Sequence, residues 1–142
     1  MIARISSWLA DRILEPSQRA GRSELTLILT DDDGITPINQ AAFGKAGATD
    51  VISFAYPPRQ RGCVAFMGEV VVNAERAWTL GPRHNGADRE LALYIAHGIQ
   101  HLTGASDHTA ILRARMRRKE RAWLNQAGKE GLLQGLCLGA SA

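Results

Sequence analysis

A chain of 142 residues with 45% hydrophobic and 22% charged residues has the length and composition of one ordinary globular domain, 1–142, with a core of its own. That balance is ordinary for a soluble domain, no internal repeat is visible, and no apolar run approaches the ~20 residues that cross a membrane, so no membrane partner is expected. Seventeen Lys and Arg against 14 Asp and Glu leave a net charge of +3, too small to name a partner by itself, so where the cations sit matters more than their sum.

Ile2 to Leu14 places Ile5, Trp8, Leu9 and Ile13 at roughly helical spacing before Pro16, which predicts an amphipathic helix packed on a sheet. Asp11 and Arg12 interrupt its apolar run, so it is not expected to be a signal peptide. Ser17 to Ser23 reads as a polar loop. Glu24 to Thr30 alternates, then runs apolar, as a strand does. Thr36 and Pro37 suggest an N-cap and first helical residue, opening a short helix through Phe43 that Gly44 and Gly47 end. Asp50 to Tyr56 is β-branched and aromatic and meets Pro57-Pro58, which predicts an edge strand. A basic loop with Arg59 and Arg61 follows. Val64 to Asn73 is a further strand, Ala74 to Leu80 a helical turn, and Gly81 to Ala87 a polar loop holding His84. A long helix is expected over Thr109 to Ala127, ahead of a glycine-spaced tail. Cys63 and Cys137 are far apart and belong to no paired motif, which fits a reducing, cytoplasmic compartment.

The chemistry concentrates between Glu90 and His108, ELALYIAHGIQHLTGASDH. His97 and His101 are one helical turn apart and project from one face. Gly104 stops the helix, and a reversal there can return His108 to the other two rings. Three neutral imidazoles make a site for one zinc or similar ion, with a fourth position open to water. Paired histidines are also found as ordinary satisfied polar groups; the glycine stop and the Asp107-His108 pair favour the metal. Glu90 shares the face of Tyr94, His97 and His101, so it either orients a ligand or, with Asp88, serves as a first-turn acid.

Zinc with an open position lowers the pKa of water toward ~7 and polarises a phosphoryl or carbonyl oxygen. A peptidase of the HExxH type needs Glu directly after the first His, and here that residue is Gly98. A phosphodiesterase needs cations instead. Arg113 to Arg121, RARMRRKER, holds six basic residues and one acid, Glu120. Leu112, Met116 and Trp123 give that helix an apolar side, while Arg113, Arg117 and Arg121 line another in steps of four, as a phosphate track or a solvated face.

The stretch His97-Gly98-Ile99-Gln100-His101-Leu102-Thr103-Gly104-Ala105-Ser106-Asp107-His108 resembles the signature of the YbeY family of bacterial rRNA-maturation endoribonucleases. Six residues separate His101 from His108 here, against five between the family's second and third His. The likeness extends through Glu24 to Asp33, Asn39, Thr49-Asp50-Val51-Ile52-Ser53-Phe54 and Gly68-Glu69-Val70, and covers roughly Leu25 to Trp123. It implies a mixed α+β fold, a small three- to four-stranded sheet covered by helices with a zincin-like metal helix. It also implies a zinc-dependent, single-strand-preferring endoribonuclease acting on rRNA precursors at the small ribosomal subunit, with His97, His101 and His108 as ligands. Asp107 would hydrogen-bond a ligand or shuttle protons. Ser53 and Phe54 would border the cleft, with Phe54 either available to stack on an unpaired base or, as a strand Phe more often is, part of the core. The family carries a Tyr-Arg pair shortly before Thr49, where this chain reads Ala42-Phe43-Gly44-Lys45. Lys45 or Arg59 is then left to serve the phosphate, although lysine lacks the planar fork. That substitution keeps a rival in view, an RNA-binding assembly factor whose zinc is structural.

Overall fold

The computed structural model describes residues 1–20, 23–56 and 66–137. Its elements in chain order are α1 (Ile2–Ile13), α2 (Pro16–Arg19), β1 (Ser23–Thr30), α3 (Asp32–Phe43), β2 (Val51–Tyr56), β3 (Phe66–Asn73), α4 (Ala74–Leu80), a 3-10 turn (Gly81–Arg83), α5 (Ala87–Leu102) and α6 (Ala110–Lys129). The expected mixed fold is present, with three strands in the order β1-β3-β2. β1 runs parallel to β3, and β2 pairs with it antiparallel, Ser53 opposite Val70.

β3 is the middle strand and is buried along nearly its whole length, as its valine run requires. β2 is an edge, as its flanking prolines predict. Two expectations shift. The polar stretch after Pro16 contains a four-residue helix closed by a reciprocal capping box between Glu15 and Gln18. α3 begins at Asp32, well before Thr36, because the Asp31 carboxylate accepts the Gly34 N–H at 2.8 Å and caps the helix there. Pro37 therefore lies inside the helix. Gly44 closes it at φ 65°, in the left-handed region that suits glycine. Val64, Ala65 and the basic loop with Arg59 and Arg61 lie outside the described residues.

α5 lies across the sheet and packs on α1, α4, α6, β2 and β3. Leu91, Ala92, Ile95, Ala96 and Ile99 on it are at most 2% exposed, against Ile5 and Leu9 of α1 and Val70 and Val72 of β3. Its closest approach to the sheet is at Gly98. A Cβ there would lie 2.5 Å from Val70 Cγ1 and 2.8 Å from Val51 Cγ2. Ser53 Oγ, on the same face of β2, donates to the Gly98 carbonyl at 2.7 Å and clamps the helix in place. Beyond α6, Leu132 and Leu136 of the tail are buried in the main core, and the Asp88 carboxylate accepts the Gly135 and Cys137 N–H groups at 2.8 and 2.7 Å.

Replacing Gly98 with Ala should cost about 1–3 kcal/mol, because a methyl must push two valines off the sheet. The measurement is the urea midpoint in excess chelator, which removes any metal contribution; an unchanged midpoint would contradict this close approach.

Candidate metal centre and cleft

His97 and His101 emerge from α5 one turn apart, on the flank of the helix beside its sheet-facing side, and both are half-buried. Their Nε2 atoms converge to 3.0 Å, with the rings at 85° to one another. The other nitrogens fix the tautomers. His101 Nδ1 lies 3.0 Å from the Ala105 carbonyl, which can only accept, so that nitrogen carries the proton. His97 Nδ1 lies 2.6 Å from Glu120 Oε1, and a carboxylate is likewise an acceptor. Two neutral rings held this way aim lone pair at lone pair. That arrangement is repulsive unless a cation or a proton lies between them. It also matches what a metal requires: neighbouring ligands of a tetrahedral ion with bonds of ~2.0–2.1 Å stand about 3.3 Å apart. The donor set fits zinc or a similar divalent ion.

Glu120 is the unforeseen member. It is the single acid within the basic run of α6, it is 3% exposed, and it holds the proton-bearing side of His97. Only the crossing of α6 over α5 brings it there; its sequence signal was an acid on the apolar stripe of an otherwise basic helix. Glu90, read either as a ligand's partner or as a first-turn acid, sits in the first turn of α5, where its carboxylate meets His84 Nδ1 at 3.1 Å. Glu90 is seven residues before His97, about 10 Å along the axis, too far for a carboxylate to reach its ring. Burial, followed by Asp50 and the Glu90 hydrogen bond, pushes the Tyr94 hydroxyl well above the ordinary range.

Asp107 comes to the same point as the two rings. Its Oδ2 lies 3.7 Å from His97 Nε2 and 3.6 Å from His101 Nε2. Among the described residues, His97, His101 and Asp107 are the group whose donor atoms could share an ion, all within 4.8 Å of one another. His108, the expected third ligand, is exposed and lies outside that group, and its N–H contacts Ser106 Oγ at 3.3 Å.

A cleft of about 390 Å³ opens beside His97, walled by Asp50, Tyr94, Glu120, Arg89, Arg117 and Arg121 among others. Arg117 and Arg121 thus reach the cleft from α6, as their spacing suggested. Arg113 does not line it; its Nη1 donates to the Asp107 carbonyl at 3.1 Å and braces the loop. Asp50 forms part of the wall at the start of β2, tied to Arg76 at 3.1 Å, while the buried Asn73 side chain donates to the neighbouring Thr49 carbonyl. Burial raises the Asp50 pKa, partly offset by Arg76. Ser53 and Phe54, expected at the cleft, alternate across the sheet. The Ser53 hydroxyl is committed to Gly98, and Phe54 stacks between Phe43 and Tyr56, each at 6.4 Å, on the α3 side. Lys45 is exposed on the α3–β2 connection and does not line the cleft, and Arg59 lies outside the described residues.

The endoribonuclease YbeY family model matches residues 2–128, nearly the whole chain. The chain belongs to the YbeY family. Endoribonuclease YbeY of a Roseiflexus species is 33% identical over 98 residues, 64% of this chain and 61% of that protein. Endoribonuclease YbeY of Fusobacterium nucleatum is 32% identical over 108 residues, 73% of this chain and 67% of its own length. The protein of the same name from Roseiflexus castenholzii is 29% identical over 138 residues, covering 89% and 86%. The chain thus spans about three fifths of the first of these YbeY relatives and more of the other two.

The His97 ring is held above the ordinary histidine value: burial opposes its charged form, but the hydrogen bond and charge of Glu120, with Asp107 and Asp50 behind it, outweigh burial. Protons and metal compete for a ligand ring. Metal affinity should therefore fall with decreasing pH from a higher onset than an ordinary histidine would give. Glu120→Gln should lower that onset and also weaken binding about 10- to 100-fold at pH 8, the usual cost of losing a ligand's carboxylate partner. Competition titration against a chromophoric chelator at several pH values reads both effects, and Glu90→Gln should leave them unchanged.

Proposed function

We propose that this YbeY-family chain is a metal-dependent endoribonuclease that cuts unpaired RNA during rRNA maturation, in the cytoplasm and at the small ribosomal subunit. The observation that carries this reading is the pair of converging Nε2 atoms beside a cleft that two arginines of α6 also reach. His97 and His101 hold the ion, zinc by preference, with a third ligand from the loop after Gly104. When bound, the ion supplies Lewis acidity at the scissile phosphate and an acidified water. Arg117 and Arg121 bind the flanking phosphates. They supply the charge that the family's Arg would bring, since Phe43 and Gly44 stand in its place and Lys45 does not line the cleft. Asp50 is the cleft carboxylate available to exchange a proton with the attacking or leaving oxygen.

The peptidase alternative loses support for a steric reason. The residue after the first His faces the sheet, where even a Cβ would collide with Val70 and Val51, so this helix has no room for the glutamate such enzymes need. The missing Arg before Thr49 favours one second reading, an RNA-binding assembly factor with a structural metal.

Single-turnover cleavage of a hairpin RNA with a single-stranded loop separates the two. Cleavage in the loop, abolished by chelation and restored by zinc, is the expected outcome. RNA bound but uncut at every metal concentration would leave the assembly-factor reading in place. Replacing Arg117 and Arg121 by Gln should weaken RNA binding and reduce the log–log salt slope by about two, one unit for each phosphate no longer neutralised. Melting temperature should hardly change, because both side chains are exposed.

A further inference from the structure

We propose that Asp107 and not His108 completes the metal site, so that this chain binds its ion through two imidazoles and one carboxylate. The inference rests on the metal-site reading above and deepens it. The three donor separations, 3.0, 3.6 and 3.7 Å, bracket the edge of about 3.3 Å expected around a tetrahedral ion, so little movement is required. The loop is pinned on both sides of Asp107. The Ala105 carbonyl takes the His101 Nδ1 proton, the Asp107 carbonyl takes Arg113 Nη1, and Thr109 Oγ1 caps α6 by accepting the Leu112 N–H at 3.2 Å. Five residues, Leu102 to Ser106, separate His101 from Asp107, enough for the chain to turn at Gly104 and bring the carboxylate back to the rings. His108 is the next residue along, exposed and outside the group of converging donor atoms.

The exchange alters the chemistry of the site. A carboxylate is a harder donor than imidazole, so the balance moves away from zinc toward Mn²⁺ or Fe²⁺ compared with three imidazoles. It also cancels charge. Asp107 and the buried Glu120 together offset a divalent ion, where three imidazoles with Glu120 would leave one positive charge. The attraction for a phosphodiester then falls to Arg117 and Arg121 at the cleft. Asp107 is accordingly a ligand and not a proton shuttle.

The test is equilibrium competition for Zn²⁺ and Mn²⁺ against a chromophoric chelator, with circular dichroism to confirm that each variant is folded and Co²⁺ absorption to report the ligand set. Asp107→Ala and Asp107→Asn should each lose affinity by at least about tenfold, the least that even an outer partner of a ligand costs. Asp107→His should keep Zn²⁺, lose Mn²⁺ preferentially and change the Co²⁺ spectrum. His108→Ala should match the parent protein in all three. If His108→Ala loses the ion while the Asp107 variants retain it, this assignment is overturned and the metal reading stands. If the parent protein binds neither ion, both fall together.

Discussion

The close approach of α5 to the sheet at Gly98 is the constraint on which the rest depends. A helix that lies this near β2 and β3 buries its apolar side completely and turns the remaining side toward α6 and the cleft. The two histidines occupy that remaining side, so their position is set by the packing beneath them. The Ser53 clamp on the Gly98 carbonyl and the capping of the Leu102 carbonyl by Gln18 Nε2 at 2.8 Å hold the helix in register at both ends of the metal-binding turn. A rigid first turn of ligands is what metal affinity requires, because an ion gains little from rings that must be ordered on binding.

α6 then serves two purposes with one helix. Met116, Glu120, Leu124 and Ala127 face inward, and the arginines between them face out. Glu120 would be costly among those apolar neighbours without the His97 N–H that it accepts. The same helical period that buries this carboxylate against the ligand carries Arg117 and Arg121 to the cleft. The carboxylate on His97 and the two cleft arginines are therefore mechanically linked, and displacement of α6 would disturb both.

Much of this was legible in the chain. The period of the apolar residues marked α1, α5 and α6, and the valine run marked β3, since these are patterns of residues near in sequence. The i, i+4 histidines and the glycine stop defined the turn that carries the converging imidazoles by the same local geometry. Helix starts were less legible. Asp31 outcompeted Thr36 as the cap of α3, and Glu15 with Gln18 closed a turn in a stretch that resembled a loop. Several polar residues competed for one role in each place, and capping strength differs little between them.

What the sequence by itself determined is therefore the kind of chemistry: two imidazoles on one turn, a loop carrying a carboxylate and a third imidazole behind it, and a basic helix next in line. Only the tertiary structure decided which groups share the site. It placed Glu120 rather than Glu90 on His97, put Asp107 beside the rings and left His108 outside, and sent Ser53 and Phe54 to opposite faces of the sheet. The physical reason is that helical and strand periods fix directions within an element, whereas these contacts depend on how α6 crosses α5 and how the loop between them is braced. That geometry is set by packing between elements distant along the chain.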